Sequence, residues 1–544
     1  MNIKPIERFW RLLSTFKPEI KQIYIYAISN GLVNLTLPLG IQAIINYIQT
    51  GGFSSSWFIL VSFVLLGIGL AGFMQLLQLR IVENMQQNLF TRSAFEFAFR
   101  MTKISVKKLD KIHAPELVNR FFDTLTIQKG LPKILIDFSL AIFQIVFGLI
   151  LLAIYSPYFI VLGVALIFIL WVIYKITGLK GLKTSLKESK HKYELAHWLE
   201  EVGRVNRSFK LYASNKLHLE KTDEIVGKYL SARENHFQVL LQQFKFFILF
   251  KIFIAASLLV LGSYLVFEEQ MDLGQFVAAE IIILLILNSV EKVIGIVEGI
   301  YDVLTALEKI GYVTDLELDD NQGAIVVEPD ADIAIKATDI SFGFEEDRKN
   351  VFEDLSFEIR AKQKVVLEGK SGTGKTLLLQ VLAGIHQIDS GELCINNIPY
   401  VYYDREKLFQ QFGVSLPSNQ LFEGTIRENI CMGRSFPEKR LSEVLRFLCL
   451  DEFVANRPQG VDGLIDSGGR RLPRSIIQKL TLARIIMSKP KLLLLEDPLL
   501  HIQEEEKVKI VDFLMDTDRD WTVVIISDFK YWNQKCEQII NLKN

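Results

Sequence analysis

Six runs of about twenty mostly apolar residues fall within the first three hundred positions, at roughly 22–47, 57–79, 134–155, 158–177, 246–267 and 276–297. A helix crosses the hydrocarbon core of a bilayer in about twenty residues. One such run is compatible with a buried soluble helix, but six in succession predict a membrane-spanning bundle. Half of the chain is hydrophobic and 38 residues are Phe, more apolar surface than a soluble chain of 544 residues with 23% charged residues ordinarily carries. The lipid bilayer is therefore the first expected partner.

The distribution of charge orients the spans. The connections 48–56, 156–157 and 268–275 contain no Lys or Arg, whereas the N-terminus and the long segments 80–133 and 178–245 are rich in both. Basic segments stay on the cytoplasmic side, so a multi-pass protein of the bacterial cytoplasmic (inner) membrane with both termini inside is expected. Summed over the chain, 61 Lys and Arg nearly cancel 62 Asp and Glu, which gives no reason to expect a nucleic-acid partner. The segment 1–21 is charged and aromatic without a small-residue cleavage site, so no cleavable signal peptide is expected and the first span should direct insertion. The four cysteines, Cys394, Cys431, Cys449 and Cys536, show no metal spacing and read as buried small hydrophobes in a reducing compartment.

The expected fold class is multi-domain: an all-α domain of six transmembrane helices followed by an α/β domain. Residues 1–20 mix basic and aromatic side chains on a helical period and predict an interfacial helix. The spans occupy 21–312, an acidic linker 313–330, and the α/β domain 331–544. The cytoplasmic segments each contain a candidate turning point, at 113–123 and 200–210, read as short docking helices. Pro38 predicts a kink in the first span. Glu280, Asn288 and Glu291 lie in the sixth span, where polar groups are expensive enough to suggest a cavity-facing role, with Glu291 expected to pair with Lys292.

The strand Val365-Val-Leu367 runs into Gly369-Lys370-Ser371-Gly372-Thr373-Gly374-Lys375-Thr376 and then an apolar helical run. This is G-x-x-x-x-G-K-T in strand-to-helix context, so the α/β domain at 331–544 is expected to be a P-loop NTPase, the nucleotide-binding domain of the chain. Glycines let the backbone wrap phosphate closely, and the amides at a helix N-terminus attract its charge. Lys375 is expected to reach the outer phosphates of ATP and Thr376 a magnesium ion.

With this loop in place, nearly the whole chain resembles the ATP-binding cassette family, exporter type, as one half-transporter. Phe344 falls where that family stacks an aromatic ring on adenine. Leu421-Phe-Glu-Gly-Thr-Ile-Arg-Glu-Asn-Ile430 is similar to the run after its glutamine loop, and the turning points match its coupling helices. The resemblance implies a dimer with a second half-transporter, identical or different, and allows a periplasmic adaptor as a further partner. It also implies an ATPase of the translocase kind, with Mg2+ held by Thr376 and by the first carboxylate after 490–495.

The catalytic motifs depart from that pattern together. The magnesium-sensing glutamine position is Pro417. The L-S-G-G-Q helix begins Leu472-Pro-Arg-Ser-Ile476, so Pro473 replaces the serine, and Ser467-Gly-Gly-Arg470 lies too far upstream to substitute for it. The family's Asp-Glu pair, metal ligand then base, is reversed as Glu496-Asp497, a displacement of about 1 Å that can cost about a hundredfold in rate. Gln503 replaces the D-loop aspartate, and Asp528 replaces the switch histidine. Two functions are compatible with these residues: an exporter subunit that closes around ATP but hydrolyses it slowly or not at all, and a non-catalytic ATP-binding regulatory or scaffolding subunit of a membrane complex.

Overall fold

The computed structural model describes residues 4–50, 55–109, 112, 114–212, 216–319, 323–328, 331–344, 350–417 and 420–542. The chain divides into two compact units, Met1–Leu318 and Asp319–Asn544.

The first unit is helical. An amphipathic helix α1 (Pro5–Thr15) starts on a proline, whose fixed φ and missing N–H suit a first turn. The first span is broken into α2 (Lys17–Asn34) and α3 (Thr36–Thr50) at Leu35. Pro38 explains the break, because it has no N–H to return to the carbonyl four residues back, at Asn34. The remaining spans are α4 (Ser55–Met101), the helical run α5 (Ala114–Tyr155), α6 (Tyr158–Arg204), α8 (Leu217–Phe267) and α9 (Leu273–Thr314), with the short α7 (Asn206–Leu211) between α6 and α8. All six spans are long and apolar enough to cross a membrane. At up to 51 residues they also extend well beyond about 30 Å of hydrocarbon. Ile59, Leu66, Val161 and Val260 are each more than 70% exposed, an apolar surface that needs lipid to cover it.

Because lipid is as apolar as leucine, helices in a bilayer hold together by close packing and by hydrogen bonds across their faces. Asn30 Nδ2 donates to Ala71 O (3.0 Å) and Gln78 Nε2 to Ile23 O (2.9 Å), tying α2 to α4. Gln243 Nε2 donates to Thr177 Oγ1 and Tyr301 OH, both at 3.0 Å, joining α8 to α6 and α9. A Cβ at Gly181 would meet the Tyr301 ring at 2.4 Å, so only glycine lets α6 and α9 approach this closely. α1 is fixed to the end of α9 by Arg8, whose guanidinium grips Asp315 through both terminal nitrogens (3.0 and 2.5 Å).

Three expectations need correction here. Glu291 pairs with Lys251 on α8 (3.2 Å) rather than with its neighbour Lys292, because successive helical residues point about 100° apart. Residues 200–204 continue α6 through Gly203, and the chain turns at Val205 instead, so the second short helix is 206–211. Cys449 is exposed with φ 50°, whereas Cys394 and Cys431 are buried. At the other turning point a short helix (Ala114–Asn119) and a 3-10 turn (Arg120–Phe122) stand where Pro115 predicts a start; His113 lies outside the described residues.

The second unit is α/β. An antiparallel sheet, ordered β2-β1-β4-β5, is formed by β1 (Ile335–Phe342), β2 (Phe352–Ile359), β4 (Ser390–Ile395) and β5 (Ile398–Pro399). A parallel sheet, ordered β11-β3-β10-β9-β6, holds β3 (Lys364–Glu368), β6 (Phe412–Ser415), β9 (Leu492–Glu496), β10 (Thr522–Ile526) and β11 (Gln538–Asn541). A small hairpin pairs β7 (Gly424–Thr425) with β8 (Leu464–Ile465). The helices that matter below are α10 (Lys375–Leu382), α11 (Ile426–Cys431), α12 (Glu438–Phe447), α13 (Arg474–Met487) and α14 (Glu504–Leu514). Val365, Val366, Leu492 to Leu495 and Val523 to Ile525 are almost completely buried, as continuous apolar strands covered on both faces must be. This central position aligns the carboxyl ends of β3, β9 and β10 at one edge, where α/β sheets place their ligand sites.

Candidate functional site

β3 ends at Glu368, and residues 369–374 turn the chain directly into α10. Gly372 (φ +85°) and Gly374 (φ +83°) adopt the left-handed region, and a Cβ at Gly374 would meet Val351 at 2.6 Å. Glycine is required at 374 for both reasons. Lys375 lies back across the loop, its Nζ donating to the carbonyls of Gly369 (2.7 Å) and Lys370 (2.9 Å). Thr373 Oγ1 donates to Lys370 O (3.0 Å), so the loop is already shaped.

The loop faces the end of β9. Thr376 Oγ1 donates to Glu496 Oε1 at 2.5 Å, while Glu496 Oε2 is buried without a hydrogen-bond partner among the described residues. Burial pushes the Glu496 carboxyl above the usual range, against the opposing effect of the Thr376 hydrogen bond and with the Asp497 charge raising it further. A hydroxyl and an orphaned carboxylate oxygen form an all-oxygen donor set, which suits a hard divalent cation such as Mg2+. Such a cation competes with a proton for Glu496. Affinity for magnesium-nucleotide is therefore expected to rise with pH through the elevated pKa of Glu496 and fall as the carboxyl protonates. Titrations at several pH values check this, and a Glu496→Gln chain should give a flat profile; an equal slope in both chains would exclude Glu496 as the group.

Asp497 sits in the left-handed region (φ 39°), fixed by its N–H to Ile526 O (2.8 Å). Non-glycine residues adopt this conformation at a cost that surrounding structure must offset. Gln478 on α13 does part of this, with Nε2 donating to Asp497 O (3.2 Å) and Oε1 accepting from His501 N (2.8 Å). This tie between α13 and the loop after β9 was missed in the sequence, where only the position of Gln478 one turn beyond Arg474 hints at it.

Phe344 is 43% exposed, with Phe342 (5.6 Å) and His386 (6.4 Å) edge-on to its ring. Much of the ring is thus left open to a planar ligand. His386, which begins no recognisable motif, was also missed.

The departures from the family pattern are well-formed structure. Pro473 is the N-cap of α13 and offers no side-chain cap, while its carbonyl accepts from Ile476 N (3.0 Å). Ser467–Gly469 forms a turn that packs under that helix, with Gly468 N donating to Leu421 O (2.9 Å). Pro417 and Asp528 are exposed, and Gln503 is the N-cap of α14. The structure brings 369–376, Glu496 and Asp497 to one edge of the sheet.

Residues 352–500 match the family model described as ABC transporter, and residues 23–290 the ABC transporter transmembrane region. The chain is 27% identical over 282 residues (51% of this chain, 48% of the relative) to the "Uncharacterized ABC transporter ATP-binding protein YwjA" of Bacillus subtilis (strain 168). It is 26% identical over 213 residues (39% and 36%) to the "Putative multidrug export ATP-binding/permease protein YgaD" of the same organism. The chain thus matches about half or less of the length of these relatives. A solved structure titled "Structure of a bacterial Atm1-family ABC exporter with ATP bound" superposes with TM-score 0.83, covering 97% of this chain and 94% of that one at 15% identity, a likeness of fold.

Proposed function

The chain belongs to the ABC transporter family, and from that premise we propose that it is an exporter half-transporter of the cytoplasmic membrane that closes around ATP while hydrolysing it slowly. Both termini lie in the cytoplasm in this reading. A second half-transporter, of the same or a different chain, completes each nucleotide site and the translocation path.

The observation that carries the proposal is the arrangement at the end of β9: Glu496 bonded to Thr376 beside a shaped phosphate loop, followed by Asp497 in a strained conformation. Lys375 and the loop amides hold the phosphates, and Phe344 carries the adenine. Thr376 and Glu496 hold the metal, which when bound neutralises charge on the phosphates. Asp497 is left to orient water with a side chain one methylene shorter than glutamate, which favours retention of nucleotide over its cleavage. The short helices at 114–119 and 206–211 carry closure to the spans.

Pro417, Pro473 and Asp528 favour a second reading, a regulatory or scaffolding subunit that binds ATP without moving a substrate. Proteoliposomes loaded with a lipophilic fluorescent dye and a fluorescent phospholipid separate the two. Slow movement of at least one probe with ATP, but not with a non-hydrolysable analogue, is expected. Static probes in vesicles whose protein still binds ATP would reject the exporter reading in favour of the regulatory one.

A further inference from the structure

A groove of about 900 Å³ opens in the nucleotide-binding unit at the amino ends of β9 and β10, lined by residues of α12, α14 and the loops before β6, β9 and β10. The phosphate loop lies at the opposite ends of these five-residue strands, about 16 Å away at 3.3 Å per residue. The groove is thus separate from the site above.

Its charged lining is more basic than acidic. Arg434, Arg440, Lys489, Lys491 and Arg519 face three carboxylates, and of these Asp520 is already held by Lys362 (3.0 Å). Arg440 uses one nitrogen on Ile486 O (2.9 Å) and leaves its Nε buried without a hydrogen-bond partner among the described residues. Arg519 Nε is orphaned likewise, 3.9 Å from Asp516 and so beyond hydrogen-bond reach. Burial lowers the pKa of Arg440 despite nearby Glu443, so its charge is partly desolvated and undercompensated. Both side chains are partly exposed, so it is the two buried Nε donors, not whole guanidiniums, that are left for an anion to meet.

The floor is aromatic. Phe447 and Phe513 lie 4.0 Å apart between ring centroids, Trp521 adjoins Phe513 at 5.7 Å, and the Arg519 guanidinium lies 4.1 Å above Phe513. Trp521 is anchored by its own Nε1 to Leu514 O (2.9 Å) and by Lys364, whose Nζ donates to Trp521 O (2.7 Å). Rings held in this way form a prepared surface. The concave shape and volume fit a small molecule rather than a flat protein contact.

We propose that this groove is a second small-molecule site, taking a diphosphate-bearing ligand with a planar ring. The phosphates meet Arg440 with Lys489 and Lys491 beside it, and the ring lies against Trp521 and the Arg519 guanidinium that covers Phe513. Because Arg440 belongs to α12 and Lys491 and Trp521 to the sheet edge, such a ligand ties the helical segment to the sheet.

The test uses the full chain in detergent with Lys375→Ala, which disables the phosphate loop, and follows tryptophan fluorescence as ADP or inorganic pyrophosphate is added. ADP should give a saturable change that Trp521→Phe removes. Arg440→Gln should weaken it by about tenfold, the loss expected for one charged hydrogen bond. Pyrophosphate should bind at least tenfold more weakly than ADP, since it lacks the ring. Lys491→Gln, at a partly exposed position, repeats the charge test should Arg440→Gln fail to fold. No Trp521-dependent signal, indifference to both charge substitutions, or equal affinity for pyrophosphate and ADP would each overturn the assignment.

Discussion

Exchanging the two carboxylates (Glu496→Asp with Asp497→Glu) and replacing Asp528→His in one chain is expected to raise magnesium-dependent ATP turnover by about a hundredfold, or about 2.7 kcal/mol of barrier. The reason is positional. Glu496 reaches Thr376 with a side chain one methylene longer than aspartate, and Asp497 is one methylene shorter than glutamate, so both carboxylates stand off the positions the family pattern sets. Backbone geometry limits the correction: Asp497 occupies φ 39°, which aspartate tolerates better than glutamate, so some thermal stability should be lost as the rate increases. Steady-state ATPase assays on the purified triple variant and the parent chain, run beside thermal denaturation, provide the measurement. An unchanged rate in a folded variant would reject carboxylate order as the limiting defect and transfer suspicion to Pro417 and Pro473.

Lys375→Ala is expected to weaken nucleotide binding at the phosphate loop by about a hundredfold while leaving the unit folded. In the structure Lys375 Nζ braces Gly369 and Lys370 through their carbonyls, and no buried apolar packing depends on its ammonium. The substitution therefore removes two things together, a positive charge for the outer phosphates and the strap that keeps the loop in shape. Titration with fluorescent ATP, with circular dichroism as the folding control, reads the effect. Affinity within threefold of the parent would mean that the loop amides suffice and that the assigned role of Lys375 is mistaken.

Most of the architecture was legible because its signals are long. Twenty-residue apolar runs and a glycine loop between a buried strand and a helix are each over-determined by many residues. Short-range features were harder to read. The partner of Glu291 depends on which face of a helix meets its neighbour, so Lys251, forty positions away, could not be told from adjacent Lys292. The helix runs through Gly203, which is exposed with open space around it, and turns only at Val205, although the intrinsic preference of glycine argues for a stop. The exposure of Cys449 arises from a left-handed backbone at the end of α12's turn, which no local motif announces. In the site itself, the loop and both carboxylates were readable from motif spacing, whereas Gln478 and His386 emerge only when distant segments are brought together. A groove built from five separate stretches of sequence leaves no contiguous trace at all.

The bidentate grip of Arg8 on Asp315 makes the eleven-residue opening helix a lever bolted to the final turn of the sixth span. A reporter dye placed at Trp10, which stands 62% exposed, would swing with any twist of that span about its own axis. Arg8→Ala would leave Leu13 and Phe16 packed with Val303 and Leu307, so the fall in the dye's polarisation reads the share of the coupling that the ion pair carries.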